Sequence, residues 1–235
     1  SNNNPYSRPF TISSFAVVDK IIDHMTTLYP NLSEITLMGH SSGGQFVQRY
    51  AAGGGAEDLP STSGISFQYV VANPSSYLYF SKKRAQQNTL DVFSIPDAST
   101  HEYDTTVCPE YRDYEYGLIG LNNYMSAAGV INLFQNYDSR TVIVFLGEDD
   151  TERTDVFDAS CQADLQGDNR YKRGLTFYYH VRDVFGRRIT SRHKVKVAPG
   201  IAHSGSGMIK SPCGLLLLFN YDPNNDACPD YDFDA

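Results

Sequence analysis

The sequence has no tryptophan, no C-x-x-C pair, no excess of basic residues and no long apolar run. Each absence closes off a class of function. The formal net charge is −8, and the basic clusters, Lys82-Lys83-Arg84 and Arg187-Arg188, are short. Polyanions reward a basic face, so no nucleic-acid partner is expected. Both clusters read as solvated loop charge. No apolar stretch is longer than Leu215 to Phe219, with five residues, against roughly 20 for a membrane-spanning helix. No membrane span is therefore expected. The four cysteines, Cys108, Cys161, Cys213 and Cys228, have neither zinc spacing nor a flanking histidine cluster. No metal site follows from them. The lead-in "SNNNPYSRPF" carries no signal-peptide pattern, and a mature or trimmed chain is expected.

What is present is a core-forming composition. The chain has 235 residues, of which 41% are hydrophobic, enough for one large domain. Its 17 tyrosines fall largely in segments that read as loops. An even cysteine count in an acidic, Tyr- and Asn-rich chain suggests secretion and disulfides. Four cysteines allow three pairings. Cys108–Cys161 with Cys213–Cys228 is favoured, the second closing a short loop and the first tying two long ones. Asn31-Leu32-Ser33 is a glycosylation sequon in an expected surface turn.

The spacing of Phe15, Val18, Ile22, Met25 and Tyr29 predicts an amphipathic helix over Ser13–Tyr29, capped by Ser13 or Ser14 and closed by Pro30. "EITLMG" (Glu34–Gly39), "FQYVVANP" (Phe67–Pro74), Thr141–Leu146 and Lys194–Ala198 read as buried strands. Helices are expected over Gln45–Ala52, Gly120–Tyr137, parts of Asp155–Tyr179, and Ile209–Tyr221 with a break near Pro212. Residues 75 to 118 form an irregular, Tyr-rich insert. Apolar strands alternating with helices predict one α/β domain over residues 1–235, its mostly parallel sheet covered on both faces.

Three chemical groups fall just beyond the C-terminal ends of predicted strands, the edge where open α/β sheets bind ligands. The first is "GHSSGG", which contains G-x-S-x-G. Small residues flank a nucleophile held on a tight strand-to-helix turn, and the free N–H groups of the following helix can receive a developing oxyanion. Ser41 is then the nucleophile and Ser42 an oxyanion donor through its backbone N–H, while Gly43 and Gly44 let the helix approach the strand. The second is Glu148-Asp149-Asp150, carboxylates able to orient a histidine. The same turn also admits a calcium-site reading, without the spacing of a known calcium loop. The third is His203, placed to shuttle a proton. The other histidines lack such placement: His24 lies on a helix, His193 at a strand entry and His40 inside the turn.

The pieces "LMGHSSGG", "VIVFLGEDD" and "VAPGIAHSG", in the chain order Ser, acid, His, resemble an α/β-hydrolase from the helix before the nucleophile onward. "NPSSYLY" and the Cys108 and Cys161 segments are similar to those of a secreted or bacterial subgroup. The resemblance implies a carboxylic-ester hydrolase acting by a Ser41–His203–Asp150 triad through an acyl-enzyme, without cofactor, on a small or polymeric ester. Asp150 is selected because family members place the acid three residues after the strand-end glycine. A lid or cap is implied for residues 75–118. His40, Tyr77, Tyr114 and Tyr116 are candidate pocket residues, with Tyr103 and Tyr111 beside them; packing of the insert around a disulfide is the competing reading. The family normally has about four strands before the nucleophile strand, on the order of a hundred residues. The second oxyanion donor usually comes from that part. An exposed apolar edge strand is therefore expected; a second chain from the same precursor completing the sheet is favoured over a truncation and over a fold that does without those strands. Peptidase, amidase or lyase use of the triad, or a binding protein with a decayed site, are the rival functions.

Overall fold

The computed structural model describes residues 12–154, 156–222, 228, 230 and 231. The lead-in at residues 1–10 and Asp155 lie outside the described residues. Helix α1 (Ser14–Leu28) starts where the Ser13 hydroxyl accepts from the Phe15 N–H, 3.2 Å, satisfying one of the orphan donors of its first turn. Only Phe15 and Ile22 of its expected apolar face are buried; Met25 and Tyr29 are exposed. Strand β1 (Glu34–His40) leads into α2 (Ser42–Gly53), and β2 (Ser66–Ala72) follows.

The insert after β2 carries the two-residue strands β3 (Arg84–Ala85) and β4 (Phe93–Ser94), paired antiparallel. Next come α3 (Asn123–Ala128), α4 (Val130–Ser139) and β5 (Thr141–Gly147). Gly129, at φ 82°, breaks the single helix expected over Gly120–Tyr137 into two. The chain continues through α5 (Cys161–Asp164), α6 (Arg170–Phe185), β6 (His193–Ala198), α7 (Gly205–Lys210) and α8 (Pro212–Phe219).

The main sheet is parallel, in the order β1-β2-β5-β6. Its interior strands are apolar on both faces, as a doubly covered sheet requires. Tyr69, Val71, Val142, Val144 and Leu146 pack with residues of α1, α2, α4 and α6. Their alternating neighbours Val70, Ala72 and Phe145 pack with Met208 of α7 and Cys213 of α8. Among the described residues β1 pairs with β2 alone, and Ile35, Leu37 and Met38 are only partly buried.

Both disulfides of the favoured pairing are present, Cys108–Cys161 and Cys213–Cys228. The first packs with Tyr103, Tyr111 and Leu165. The insert also folds around Arg84, which is fully buried. Its guanidinium donates to the carbonyls of Tyr111 (2.7 Å) and Tyr116 (3.2 Å) and lies 4.2 Å from the Tyr79 ring centroid. The reading of Lys82-Lys83-Arg84 as solvated charge is therefore corrected at Arg84. A buried guanidinium persists where carbonyls and aromatic faces replace water, and burial lowers its pKa to about 10.

Candidate active site

β1 ends in a turn that places Ser41 in a conformation unusual for a side-chain-bearing residue, φ 59° and ψ −121°. Such backbone costs on the order of 1–3 kcal/mol and persists only where its surroundings impose it. Here the Ser41 N–H donates to the Ala72 carbonyl of the neighbouring strand, 2.9 Å, and the Ser41 carbonyl accepts from Gln45 N, 3.0 Å. A Cβ on Gly39 would lie 2.0 Å from the Gly43 carbonyl oxygen, and one on Gly44 2.6 Å from that of Ala72. A Cβ on Gly43 would meet nothing. The close approach expected of Gly43 and Gly44 thus belongs to Gly44 and Gly39; Gly43 contributes backbone only. Ser42 is the exposed first residue of α2, and its N–H has no protein partner among the described residues. It is one of the free donors at a helix N-terminus.

The acid turn follows β5. Gly147 N donates to Asn73 Oδ1, 2.8 Å, while Asn73, itself at φ 45°, donates its N–H to the Phe145 carbonyl. A Cβ on Gly147 would lie 2.3 Å from the Ile201 carbonyl oxygen. This close approach brings the loop after β6 against the acid turn, where Asp149 N donates to Ile201 O (3.0 Å) and Gly200 N to Glu148 Oε2 (3.0 Å). The three carboxylates have separate surroundings. Glu148 is exposed and holds the loop, Asp149 is exposed, and Asp150 is 1% exposed. A calcium site needs them convergent, and among the described residues no group of three or more His, Cys, Asp or Glu is placed to hold a metal ion.

His203 joins the two turns. Its Nδ1 lies 2.7 Å from Asp150 Oδ2 and its Nε2 3.0 Å from Ser41 Oγ. A carboxylate only accepts, so the proton of neutral His203 belongs on Nδ1, leaving Nε2 to accept from the serine hydroxyl. The other Asp150 oxygen faces Arg170 Nη1 at 3.5 Å, and the Asp150 carbonyl accepts from Tyr171 N. The His40 ring lies against that of His203, centroids 4.6 Å apart, with a buried Nε2 that has no partner among the described residues. Burial, then repulsion from His203, lowers the His40 pKa to about 4, so this ring is neutral near pH 7.

Ser41, Asp150, His203, Ser42 and His40 thus come together. The tyrosines do not join them. Tyr77 is fully buried, its ring stacked on Phe177 at 4.4 Å, so its expected place in a substrate pocket is corrected to core packing. The Tyr114 hydroxyl accepts from Asn122, and the Tyr116 hydroxyl donates to Asp158 Oδ2, 2.9 Å. Asn31 lies exposed in the turn between α1 and β1. A cavity of about 380 Å3 between the insert and the start of α6 includes Leu90, His101 and Tyr171; Thr151 is its one residue from the acid turn, and neither Ser41 nor His203 lines it. Sequence reasoning missed Asn73 and Arg170. The Asn-Pro at the end of a buried strand was a usable signal for the first. Arg170, within "DNRYKR", resembles any solvated helix start.

No protein-family model matches the chain, and no curated protein matches it in sequence. Among solved structures it is similar to the poly(3-hydroxybutyrate) depolymerase LpqC from Bordetella parapertussis, with a TM-score of 0.55 and 19% identity over 90% of this chain and 58% of that one. It is also similar to poly(aspartic acid) hydrolase-1 from Sphingomonas sp. KT-1, with a TM-score of 0.53 and 23% identity over 88% of this chain and 64% of that one. The fold is that of the α/β-hydrolases. The chain spans less than two thirds of either neighbour.

Proposed function

We propose that the protein is a serine hydrolase cleaving carboxylic esters through an acyl-enzyme. One observation carries the reading: the unbroken line from Ser41 Oγ through the His203 ring to Asp150. Ser41 attacks the ester carbonyl as its proton passes to His203 Nε2, and Asp150 stabilises the imidazolium that forms. The Ser42 N–H, at the positive end of α2, donates to the oxyanion. His203 then protonates the departing alcohol. In the second half a water, deprotonated by His203, hydrolyses the acyl-enzyme. No cofactor enters either half. The names of the two neighbours support a polymeric substrate. The two disulfides and the exposed sequon at Asn31 support an extracellular, glycosylated protein.

Labelling by a serine-reactive phosphonate, with hydrolysis of a short-chain p-nitrophenyl ester, tests the assignment. Ser41→Ala abolishes labelling and lowers kcat by about 10⁶-fold, the scale seen when a nucleophile is removed from a triad. Ser42→Ala keeps its backbone N–H and most of both signals. Unchanged labelling in Ser41→Ala refutes the triad, and no labelling of the wild type leaves the reading of a binding protein. Labelling with amide but not ester turnover selects an amidase.

A further inference from the structure

A carboxylate buried as deeply as Asp150 is costly to keep ionised without a cationic partner, and a hydrogen bond from neutral His203 does not supply that charge. Arg170, the first residue of α6, does. It is fully buried. Its Nη1 faces Asp150 Oδ1 at 3.5 Å, its Nε donates to Ser75 Oγ at 3.0 Å, and its Nη2 donates to the Val156 carbonyl at 3.3 Å. The guanidinium carbon lies 5.0 Å from the Phe157 ring centroid. Three chain segments therefore fix the fork, and among the described residues Asp150 is the carboxylate it pairs with. The two oxygens of Asp150 are thus divided, Oδ2 to His203 and Oδ1 to Arg170.

We propose that Arg170 is a positioning residue of the reaction: its guanidinium fixes Asp150 Oδ1, so that Oδ2 is held against His203 Nδ1, and it places a permanent positive charge behind the acid. The inference rests on the triad proposed above. Charged or titratable groups near the pair come from several elements. They are His40 at the end of β1, Tyr77 after β2, Glu148 and Asp149 in the acid turn, and Arg170 on α6. Gly205 and Ser206 at the start of α7 add none. Burial, then the neighbouring Tyr137, Tyr79 and Asp150, hold the Tyr77 hydroxyl well above its ordinary pKa, so it stays neutral, and among the described residues Arg170 is the permanently charged partner of the acid.

The chemistry follows. When Ser41 Oγ gives its proton to His203 Nε2, the imidazolium needs an anion at Nδ1, not a second base that takes its proton. A guanidinium at Oδ1 holds the Asp150 carboxylate in place as that anion. Without it, the site loses a fixed positive charge. The acid limb of kcat/KM, which reports the free enzyme, then moves up in pH.

The test compares wild type with Arg170→Gln, Arg170→Lys and Ser75→Ala, measuring kcat and KM for a short-chain p-nitrophenyl ester across pH, with thermal melting as the fold control. Arg170→Gln is expected to lower kcat by up to about 10²-fold, the cost of a misplaced catalytic group, with KM little changed. Its acid limb rises by roughly one pH unit. Arg170→Lys keeps the charge and returns the limb toward wild type. Ser75→Ala loses an anchor of the side chain but leaves the limb in place. A folded Arg170→Gln with an unmoved limb overturns the proposal and makes Arg170 a strut.

Where Arg170→Gln alone does not fold, Asp150→Asn is compared with Asp150→Asn/Arg170→Gln, in which no buried charge is left unpaired. Less than about a threefold further loss in the double variant supports coupling through Asp150; a full additional loss overturns it. Phosphonate labelling separates the two levels of the argument. Labelling that survives Ser41→Ala removes the triad and this proposal with it, whereas labelling lost in Ser41→Ala with an unmoved limb in Arg170→Gln removes this proposal alone.

Discussion

The turn that carries Ser41, the proposed nucleophile, and the turn that carries Asp150, the proposed acid, sit side by side at one edge of the sheet, but they are built from different kinds of information. At the nucleophile, the residues that matter are nearly contiguous: Gly39 against the Gly43 backbone, Ser41 at φ 59°, and Gly44 against the next strand. At the acid, the partners are far apart in the chain. Asn73 reaches Gly147 across 74 residues, Arg170 reaches Asp150 across 20, and His203 reaches it across 53. A nucleophile turn is thus specified by a short motif, while the acid is specified by assembly. That difference sets what substitutions should do at each.

With Ser41 kept, the largest effect is expected at the acid. Asp150→Asn keeps the shape of the side chain but removes the charge and favours the wrong His203 tautomer, so kcat should fall by about 10⁴-fold. Asp149→Asn, at the adjacent residue but exposed, should change kcat by less than about twofold. The pair of kcat values checks the assignment. Equal losses in both variants would mean that the exposed carboxylate serves the histidine as well, and would undo the separation of the three acids in this turn.

The nucleophile turn should break by packing instead. Gly39→Ala forces a Cβ into the Gly43 carbonyl at 2.0 Å. Backbone cannot yield there without moving the start of α2, so stability should drop by about 3 kcal/mol, the upper range for overpacking, or folding should fail. Gly43→Ala meets no atom and should stay within about 0.5 kcal/mol, since it introduces no named defect. Urea unfolding of the two variants tests this. A Gly43→Ala penalty equal to that of Gly39→Ala would show that the G-x-S-x-G spacing alone, and not the particular close approaches, governs the turn.

The same contrast explains what the sequence made legible. Four buried strands and most of the helices between them were readable, because strand-length apolar runs and glycine-flanked turns are local properties, and the same turns carry the order Ser, acid, His of the proposed triad. The choice of Asp150 among three neighbouring carboxylates came from resemblance to a family, since nothing local distinguishes it from Asp149. Arg84 and Arg170 look in sequence like solvated basic residues. Each is buried only because carbonyls, rings or a carboxylate from elsewhere in the chain replace water around its guanidinium. Tyr77 misled for the converse reason: a tyrosine in an apparent loop offers no local sign that Phe177 on α6 will cover it. Gly43 misled because a motif records where glycine occurs, not which of its glycines lacks room for a Cβ.

His40 is where the two kinds of construction meet, and it carries the smallest expected effect. The residue belongs to the nucleophile turn, yet its titration is set from across the site: burial first, then His203, with Asp150 raising and Arg170 lowering its pKa. The folded value is about 4 against an ordinary 6.5. The unfolded chain therefore takes up a proton below about pH 6.5 that the folded protein takes only near pH 4. The stability this represents is present above pH 6.5 and is lost as pH falls through that window. His180 and His193, also held below their ordinary pKa by burial, contribute in the same direction, so no single substitution flattens the curve. His40→Gln should remove one share of it, roughly 1 kcal/mol once partial exposure is allowed for. Relative to wild type, the variant should gain that amount between pH 7 and pH 4.5 in urea unfolding. A difference that stays constant across those pH values would mean that the ring is not held neutral by its surroundings, and that the nucleophile turn is electrostatically independent of the acid.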